Sequence, residues 1–173
     1  YSITEEDLIS AELELVPAWP ARDIGLDRSF VGGYGQDDRV CAYTALRACL
    51  EISNPERTAL LVLADKEEIG STGNTGMTAM FFANAVAEIA SRCGPDYSEL
   101  VLRRILANSR ALSADVNVAL DPNYGDVVEK RNTARLGSGV VLTKYTGSRG
   151  KNSSNDAHAE MVAYIRQLFN RAG

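Results

Sequence analysis

A chain of 173 residues with 45% hydrophobic content matches one ordinary globular domain and is long enough to bury a sizeable core. Its 18 basic and 23 acidic side chains leave a formal net charge of -5, and no basic block is interleaved with aromatics, which argues against a nucleic-acid partner. No apolar run approaches the roughly 20 residues that cross a bilayer, and the opening YSITEEDLIS is acidic, unlike a secretion signal; the expectation is no membrane partner and a cytoplasmic location.

The chain begins on Tyr1 rather than Met and stops just past an amphipathic segment, so it reads as a piece of a longer polypeptide. Residues 13–16 alternate apolar and charged side chains and are closed by Pro17, which predicts a half-exposed strand. The Gly-rich passage RDIGLDRSFVGGYGQDD follows and predicts a crossing between two structural units. From Asp37 onward, DDRVCAYTALRACLEI places Val40, Ala45, Leu46, Cys49 and Leu50 near helical spacing behind an acidic start, which predicts a helix. Residues 60–63 form a short apolar run, predicted as a buried strand, that passes through Asp65, Lys66, Glu67 and Glu68 into the loop GSTGNTG. TGMTAMFFANAVAEIASRCG predicts a long apolar helix stopped by Gly94 and Pro95, and SELVLRRILANS predicts a shorter one. ALSADVNVAL predicts a second buried strand, GSGVVLTKYTG a third, and DAHAEMVAYIRQLFNR a closing helix. Strands alternating with helices of this length predict an α/β protein with a three-layer α/β/α sandwich. There is no internal repeat and no low-complexity segment.

Cys41, Cys49 and Cys93 are odd in number and widely spaced, which indicates neither a disulfide framework nor a metal knuckle; they are expected to be buried thiols. Cys41 stands next to acidic residues and is a candidate nucleophile, but the single histidine, His158, is far away in sequence.

The acids are more informative. In an open α/β sheet, ligands collect beyond the carboxyl ends of the strands. Glu67 and Glu68 follow the first predicted strand of this region, Asp115 sits in the second, and Asp37 and Asp38 stand at a helix start. If the chain stays extended at Glu67 and Glu68, the two side chains point to opposite faces, leaving one for a metal and one for the substrate. Clustered carboxylates raise one another's pKa, and a divalent cation removes that penalty. Carboxylates suit Mg, Mn and Ca, and together with histidine they suit Zn or Co. An alternative stays open, in which Asp37 and Asp38 simply favour a helix N-terminus while Lys66, Glu67 and Glu68 form a solvated turn.

Four blocks taken together, GYGQDDRVCAYTAL, ADKEEIGSTGNTGM, SADVNVALDPNY and GSGVVLTKYTGSRGKNSSNDAHAE, resemble the M18 family of metalloaminopeptidases, the aspartyl aminopeptidase and aminopeptidase I group, most closely its bacterial branch. The resemblance covers nearly the whole chain. It implies an α/β/α sandwich of the zinc-peptidase type with a remnant of an inserted oligomerisation domain: residues 1–26 as the tail of that domain and 27–173 as part of the catalytic domain. It implies two zinc ions per site, with Mn2+ or Co2+ as substitutes. Asp37 matches the bridging ligand with Asp38 as its motif neighbour, Glu68 matches a zinc ligand, Asp115 matches the carboxylate ligand of the other metal, and Glu67 matches the general base. The activity implied is removal of N-terminal residues from peptides by a homo-oligomer.

The family pattern also carries two histidine ligands, one upstream of the inserted domain and one near the C-terminus, and this sequence has neither. His158 falls where the family carries a small residue, so it is expected to be a surface or helix-start residue. The chain alone is therefore expected to be weakly active or inactive, with a loosely held loop over residues 70–76. Two rival readings are a different two-metal amide hydrolase, such as a deacetylase or amidase, and a non-catalytic assembly fragment.

Overall fold

Helices form where the apolar spacing predicts them, whereas most of the predicted strands do not pair. The computed structural model describes residues 2–131, 133–144 and 158–173. The chain divides into two units, Tyr1–Asp115 and Val116–Gly173, each containing α-helix, with a two-stranded sheet in the first.

The first unit opens with a short helix, α1 (Glu5–Ile9), whose first turn is acidic. Asp7 Oδ2 accepts from both the Thr4 backbone N–H and the Thr4 hydroxyl at 2.8 Å, and these bonds hold its carboxyl below the usual range. Residues 13–16, predicted as a strand, carry none. Pairing occurs further on, in the passage predicted as a crossing. There β1 (Arg22–Ile24) and β2 (Phe30–Gly32) form an antiparallel hairpin with Arg22 opposite Gly32, Asp23 opposite Val31 and Ile24 opposite Phe30. The turn between them is made by left-handed backbone at Gly25 and Arg28, a bond from Arg28 N–H to the Gly25 carbonyl at 3.2 Å, and the Asp27 side chain accepting from Ser29 N–H at 3.2 Å. At Gly32 the Ile24 side chain lies over the backbone, in the space a Cβ would take, so a larger residue there would have to displace it. The expected domain boundary after residue 26 falls inside this turn.

Helix α2 (Gln36–Glu51) begins where the acidic start predicts it, and an Arg47–Glu51 ion pair at 2.8 Å closes its last turn. Asp38, Ala42, Ala45 and Cys49 share its half-buried face; Val40, Leu46 and Leu50, expected in the core, are exposed. Helix α3 (Phe81–Cys93) starts later than predicted, because residues 75–80 are taken up by turns. It packs against α4 (Glu99–Ala107), which Ser98 caps by accepting from Val101 N–H at 3.4 Å. Val86 of α3 and Leu102 of α4, each 8% exposed, are the buried hydrophobic side chains of this unit among the described residues.

In the second unit, Leu120 N–H bonds to the Ala134 carbonyl at 3.0 Å, a 3-10 turn covers Pro122–Tyr124, and Asn117 donates to the Thr143 hydroxyl at 3.1 Å. Helix α5 (Ala159–Ala172) forms as predicted and buries Ile165. The predicted residues 156–157 at its start, and 145–147 at the end of the third strand, lie outside the described residues.

The predicted strands at 60–63, 111–120 and, in its described part, 137–144 join no ladder among the described residues; an isolated bridge ties Ala119 to Ala134, and another ties Asp65 to Gly76 just beyond the first run. Leu60, Leu63, Leu112, Val118 and Val140 are exposed, with Val140 at 80%. The sequence pattern promises a sizeable core, yet Val86, Leu102 and Ile165 are its buried hydrophobics among the described residues, far fewer than a domain of this length normally encloses. Apolar runs of this kind are buried when parallel neighbours and flanking helices cover both faces; here the Asn117–Thr143 bond brings the second and third runs together without a ladder between them among the described residues.

The α3–α4 pair should therefore carry the measurable cooperativity of the first unit. Leu102→Ala should lower its stability by about 2 kcal/mol, the low end for core leucines, whereas Leu100→Ala, at a position 52% exposed, should change it by less than about 0.5 kcal/mol. Urea titration followed by helical circular dichroism distinguishes the two; equal effects would place the core elsewhere.

Candidate metal centre

The site starts at the turn between β2 and α2. Gly35 takes a left-handed conformation, with φ of 76°, and the next turn does not enter the helix smoothly: Asp37 and Asp38 have non-helical φ/ψ of -89°/105° and -125°/53° and are joined by a cis peptide. Asp38 then acts as the cap of the regular helix, its Oδ1 accepting from Cys41 N–H at 3.2 Å. A helix N-terminus favours negative charge, so local physics alone accounts for one acid here. It does not account for what comes to meet it.

Asp115 closes the first unit, and carboxylate oxygens of Asp37, Asp38 and Asp115 all lie within 4.8 Å of one another. Glu68 approaches from a third direction. The negative charge of Asp37, followed by that of Glu67, raises the Glu68 carboxyl above its ordinary pKa; a side-chain hydrogen bond to Asp37, burial and the charge of Asp115 push the same way. Cys41 lies at the base of the group. Burial first, then the hydrogen bond to Asp38 and the charges of Asp38, Asp115 and Asp37, push its thiol up to about 11. Such a thiol is a poor nucleophile near neutral pH, which removes the Cys41 reading. Among the three cysteines, Cys41 and Cys49 are half-buried and Cys93 is exposed, so the expectation of three buried thiols fails at Cys93.

The expectation of an extended chain at Glu67 and Glu68 also fails. Lys66 has a positive φ of 63°, and a turn follows in which Gly70 N–H bonds to the Glu67 carbonyl at 2.9 Å and Ser71 N–H to the Lys66 carbonyl at 2.7 Å. The two glutamates therefore sit side by side within a turn rather than on a strand with alternating faces. This loop is tied by its own bonds: Asp65 N–H to the Thr75 carbonyl at 3.2 Å, and the Thr78 hydroxyl to the Ser71 carbonyl at 2.6 Å. Gly76 is buried, and a Cβ there would collide with the Ser71 carbonyl. The loop over residues 70–76 is thus hydrogen-bonded rather than loosely held. Lys66 turns its ammonium to Asp65 at 3.4 Å.

Of the residues singled out in the sequence, Asp37 and Asp115 stand together, Glu68 lies within reach of the charge of Asp37, and Glu67 reaches the group through its charge on Glu68. Asp38, read from the sequence only as a motif neighbour, joins the cluster directly; its spacing of three residues from Cys41 is the sequence signal for a cap. His158 is exposed at the start of α5, where its carbonyl accepts from Val162 N–H at 3.0 Å. Residues 145–157 of the fourth family-like block lie outside the described residues.

The donor set fits a divalent cation. Three carboxylates within 4.8 Å of one another, with a fourth whose protonation is favoured by their charge, are the arrangement that a 2+ ion stabilises, and all the donors are oxygen.

Known proteins carry the same chain trace. The family model described as aminopeptidase I zinc metalloprotease (M18) matches residues 1–172. A relative from Clostridium acetobutylicum, named "Probable M18 family aminopeptidase 1", is 58% identical over 171 residues, covering 99% of this chain and 37% of the relative. The crystal structure of an M18-family aminopeptidase from Thermotoga maritima superposes with a TM-score of 0.90 at 53% identity, covering 100% of this chain and 38% of that one. That of aminopeptidase I from Clostridium acetobutylicum gives 0.83 at 54% identity over 99% of this chain and 36% of that one. The chain thus spans little more than a third of the length of the relatives it matches.

The cysteines offer a direct test of the electrostatics. With iodoacetamide at pH 8, Cys93 should be alkylated first and Cys41 should stay largely unmodified, because a pKa near 11 leaves about 0.1% thiolate. Asp38→Asn should speed the reaction at Cys41 by removing a hydrogen bond and a charge that hold the proton on. Peptide mass spectrometry over time reads both rates; fast labelling of Cys41 in the unaltered chain would contradict the crowding of negative charge around it.

Proposed function

The chain belongs to the M18 family of aminopeptidase I zinc metalloproteases, and from that membership and the convergence of its acids we propose that it supplies most of the carboxylate half of a two-zinc centre that removes N-terminal residues from peptides. The observation that carries this reading is the meeting of Asp37, Asp38 and Asp115, with Glu68 near enough for the charge of Asp37 to raise its pKa, at residues far apart in sequence.

Asp37 is read as the bridging ligand, Glu68 and Asp115 as ligands of one metal each, and Glu67 as the general base. Zinc bound in this way would lower the pKa of a water and polarise the first peptide carbonyl. Glu67 takes the proton of the attacking water and returns it to the leaving amine. Its neighbour Glu68 cannot share that task, because as a ligand it must stay deprotonated. Asp38, through its bond to Cys41 N–H, holds the start of α2 so that Asp37 faces the cluster. Zinc prefers imidazole in addition to carboxylate, and an all-oxygen set binds it less selectively; the nitrogen donors are proposed to come from the remainder of the whole protein. The chain by itself is accordingly proposed to have little or no activity.

The same reading accounts for the apolar runs that join no ladder among the described residues. In the whole protein, residues 60–63, 111–120 and 137–144 are proposed as strands of a three-layer α/β/α sandwich, residues 27–173 as part of the catalytic domain and residues 1–26 as the tail of an inserted oligomerisation domain. The relatives are more than twice as long as this chain, which leaves ample sequence for the covering strands and helices. A homo-oligomer acting on peptides in the cytoplasm completes the proposal. No helix among the described residues is long and apolar enough to cross a membrane.

Kinetics and metal analysis of the whole protein test the division of labour. Glu67→Gln should keep its zinc and lose about 100-fold to 10,000-fold in turnover of leucyl and aspartyl peptides, the usual contribution of a general base. Glu68→Gln should lose zinc. Equal metal loss in both variants would remove the distinction between the two glutamates, and undiminished turnover in Glu67→Gln would remove the catalytic reading.

A further inference from the structure

The Asp37–Asp38 pair is gripped from both sides by its sequence neighbours. On one side, the Gln36 side-chain amide donates to the Val31 carbonyl of β2, five residues back. On the other, Arg39 Nη1 donates to the Tyr34 carbonyl at 3.3 Å, and the guanidinium lies over the Tyr34 ring at 5.7 Å from its centre. The Arg39 backbone N–H bonds to the Gly35 carbonyl at 3.2 Å, so main chain and side chain of one residue both return to the turn before Asp37. Gly35 makes room for this. Its φ of 76° favours glycine, and a Cβ there would run into the Arg39 guanidinium.

Neither contact serves ordinary helix formation. Helix side chains pair with residues three or four away on the same face, whereas these two reach back five residues, out of the helix, Gln36 onto β2 and Arg39 onto the turn that follows it. Between them lie the two residues of α2 whose backbone is non-helical and whose carboxylates face Asp115. Repulsion from Asp115 and Glu68 favours moving that pair away, and the bonds of Gln36 and Arg39 oppose this movement together with the Asp38 bond to Cys41 N–H.

We infer that Gln36 and Arg39 are positioning residues that hold the Asp37–Asp38 turn, Gln36 against β2 and Arg39 against the Tyr34 turn, and thereby set the geometry of the carboxylate cluster for a divalent cation. The inference rests on the reading of Asp37 as a metal ligand. Arg39 suits the role because its planar guanidinium can stack on Tyr34 and donate to a carbonyl at once, which lysine cannot.

Zinc titration calorimetry on the metal-stripped whole protein tests it, alongside the thermal midpoint of each metal-free form. Arg39→Ala should raise the zinc Kd about 10-fold to 100-fold, the usual cost of removing a residue that orients a ligand, with little change in the metal-free midpoint. Gln36→Ala should act in the same direction. Arg39→Lys, which still reaches the Tyr34 carbonyl, should lose less than Arg39→Ala. Asp37→Asn, as a reference, should abolish tight binding. If Asp37→Asn abolishes binding while Arg39→Ala and Gln36→Ala stay within about twofold of the unaltered protein, the positioning role is wrong and the metal site stands. If the zinc loss in Arg39→Ala comes with a large fall in the metal-free midpoint, and Gln36→Ala and Arg39→Lys show the same coupling, the residues serve the fold generally and the inference is again overturned. If Asp37→Asn binds zinc normally, the metal reading fails and takes the inference with it.

Discussion

Mutual repulsion among carboxylates is the constraint around which the first unit is organised. Asp37, Asp38 and Asp115 are held within 4.8 Å of one another, and Glu68 is pushed toward its protonated form by the charge they carry. A chain left to minimise its own electrostatics would spread these groups into solvent. Instead, a capped and irregular helix start fixes two of them, a tightly hydrogen-bonded turn after Lys66 brings the third, and the end of the unit brings the fourth. Local features that look like ordinary punctuation, such as a left-handed glycine, a left-handed lysine and an aspartate cap, aim the side chains at a common point. A proton on Glu68 relieves part of the crowding, and a divalent cation offsets two of the negative charges at once, which is why the geometry and the family membership lead to the same chemistry.

A second constraint acts on the apolar residues. Hydrophobic burial stabilises a fold only when two faces meet, and the runs at 60–63, 111–120 and 137–144 present apolar side chains that nothing among the described residues covers. The self-sufficient packing is local. Helices α3 and α4 meet through Val86 and Leu102, and their connection is short enough that little chain entropy opposes their docking. The acid cluster is thus set on backbone held mostly by hydrogen bonds in turns, with a thin core beneath it. In the proposed whole protein, added layers would stiffen this support, and the precision of the metal geometry would then depend on residues outside the chain.

These two constraints explain which parts of the molecule are legible in the sequence. Helices α2, α4 and α5 follow from apolar spacing and end signals that act within a few residues, and they form close to where those signals place them. Strands are harder because their pairing is non-local: the run at 60–63 has the composition of a buried strand but no described neighbour to bond with, while the hairpin of β1 and β2 hides in a passage whose glycines read as a connection. At the site, residue identity is legible and orientation is not. Alternation of side chains at Glu67 and Glu68 presupposes a strand, and the chain instead turns at Lys66, whose positive φ no composition rule would place there. Asp38 is underrated for a similar reason. Its closeness to Asp115 arises from the irregular backbone at the start of α2, and no pattern within that segment encodes a contact with a residue so much later in the chain.

Anomalous diffraction at the zinc edge from crystals of the whole protein tests the central claim most directly. The account predicts two peaks about 3.5 to 4 Å apart, one of them shared through Asp37, with carboxylate oxygens of Glu68 and Asp115 about 2.0 to 2.2 Å from the metals. Strong peaks coordinated elsewhere, with Asp37, Glu68 and Asp115 left without metal at full zinc loading, would contradict it.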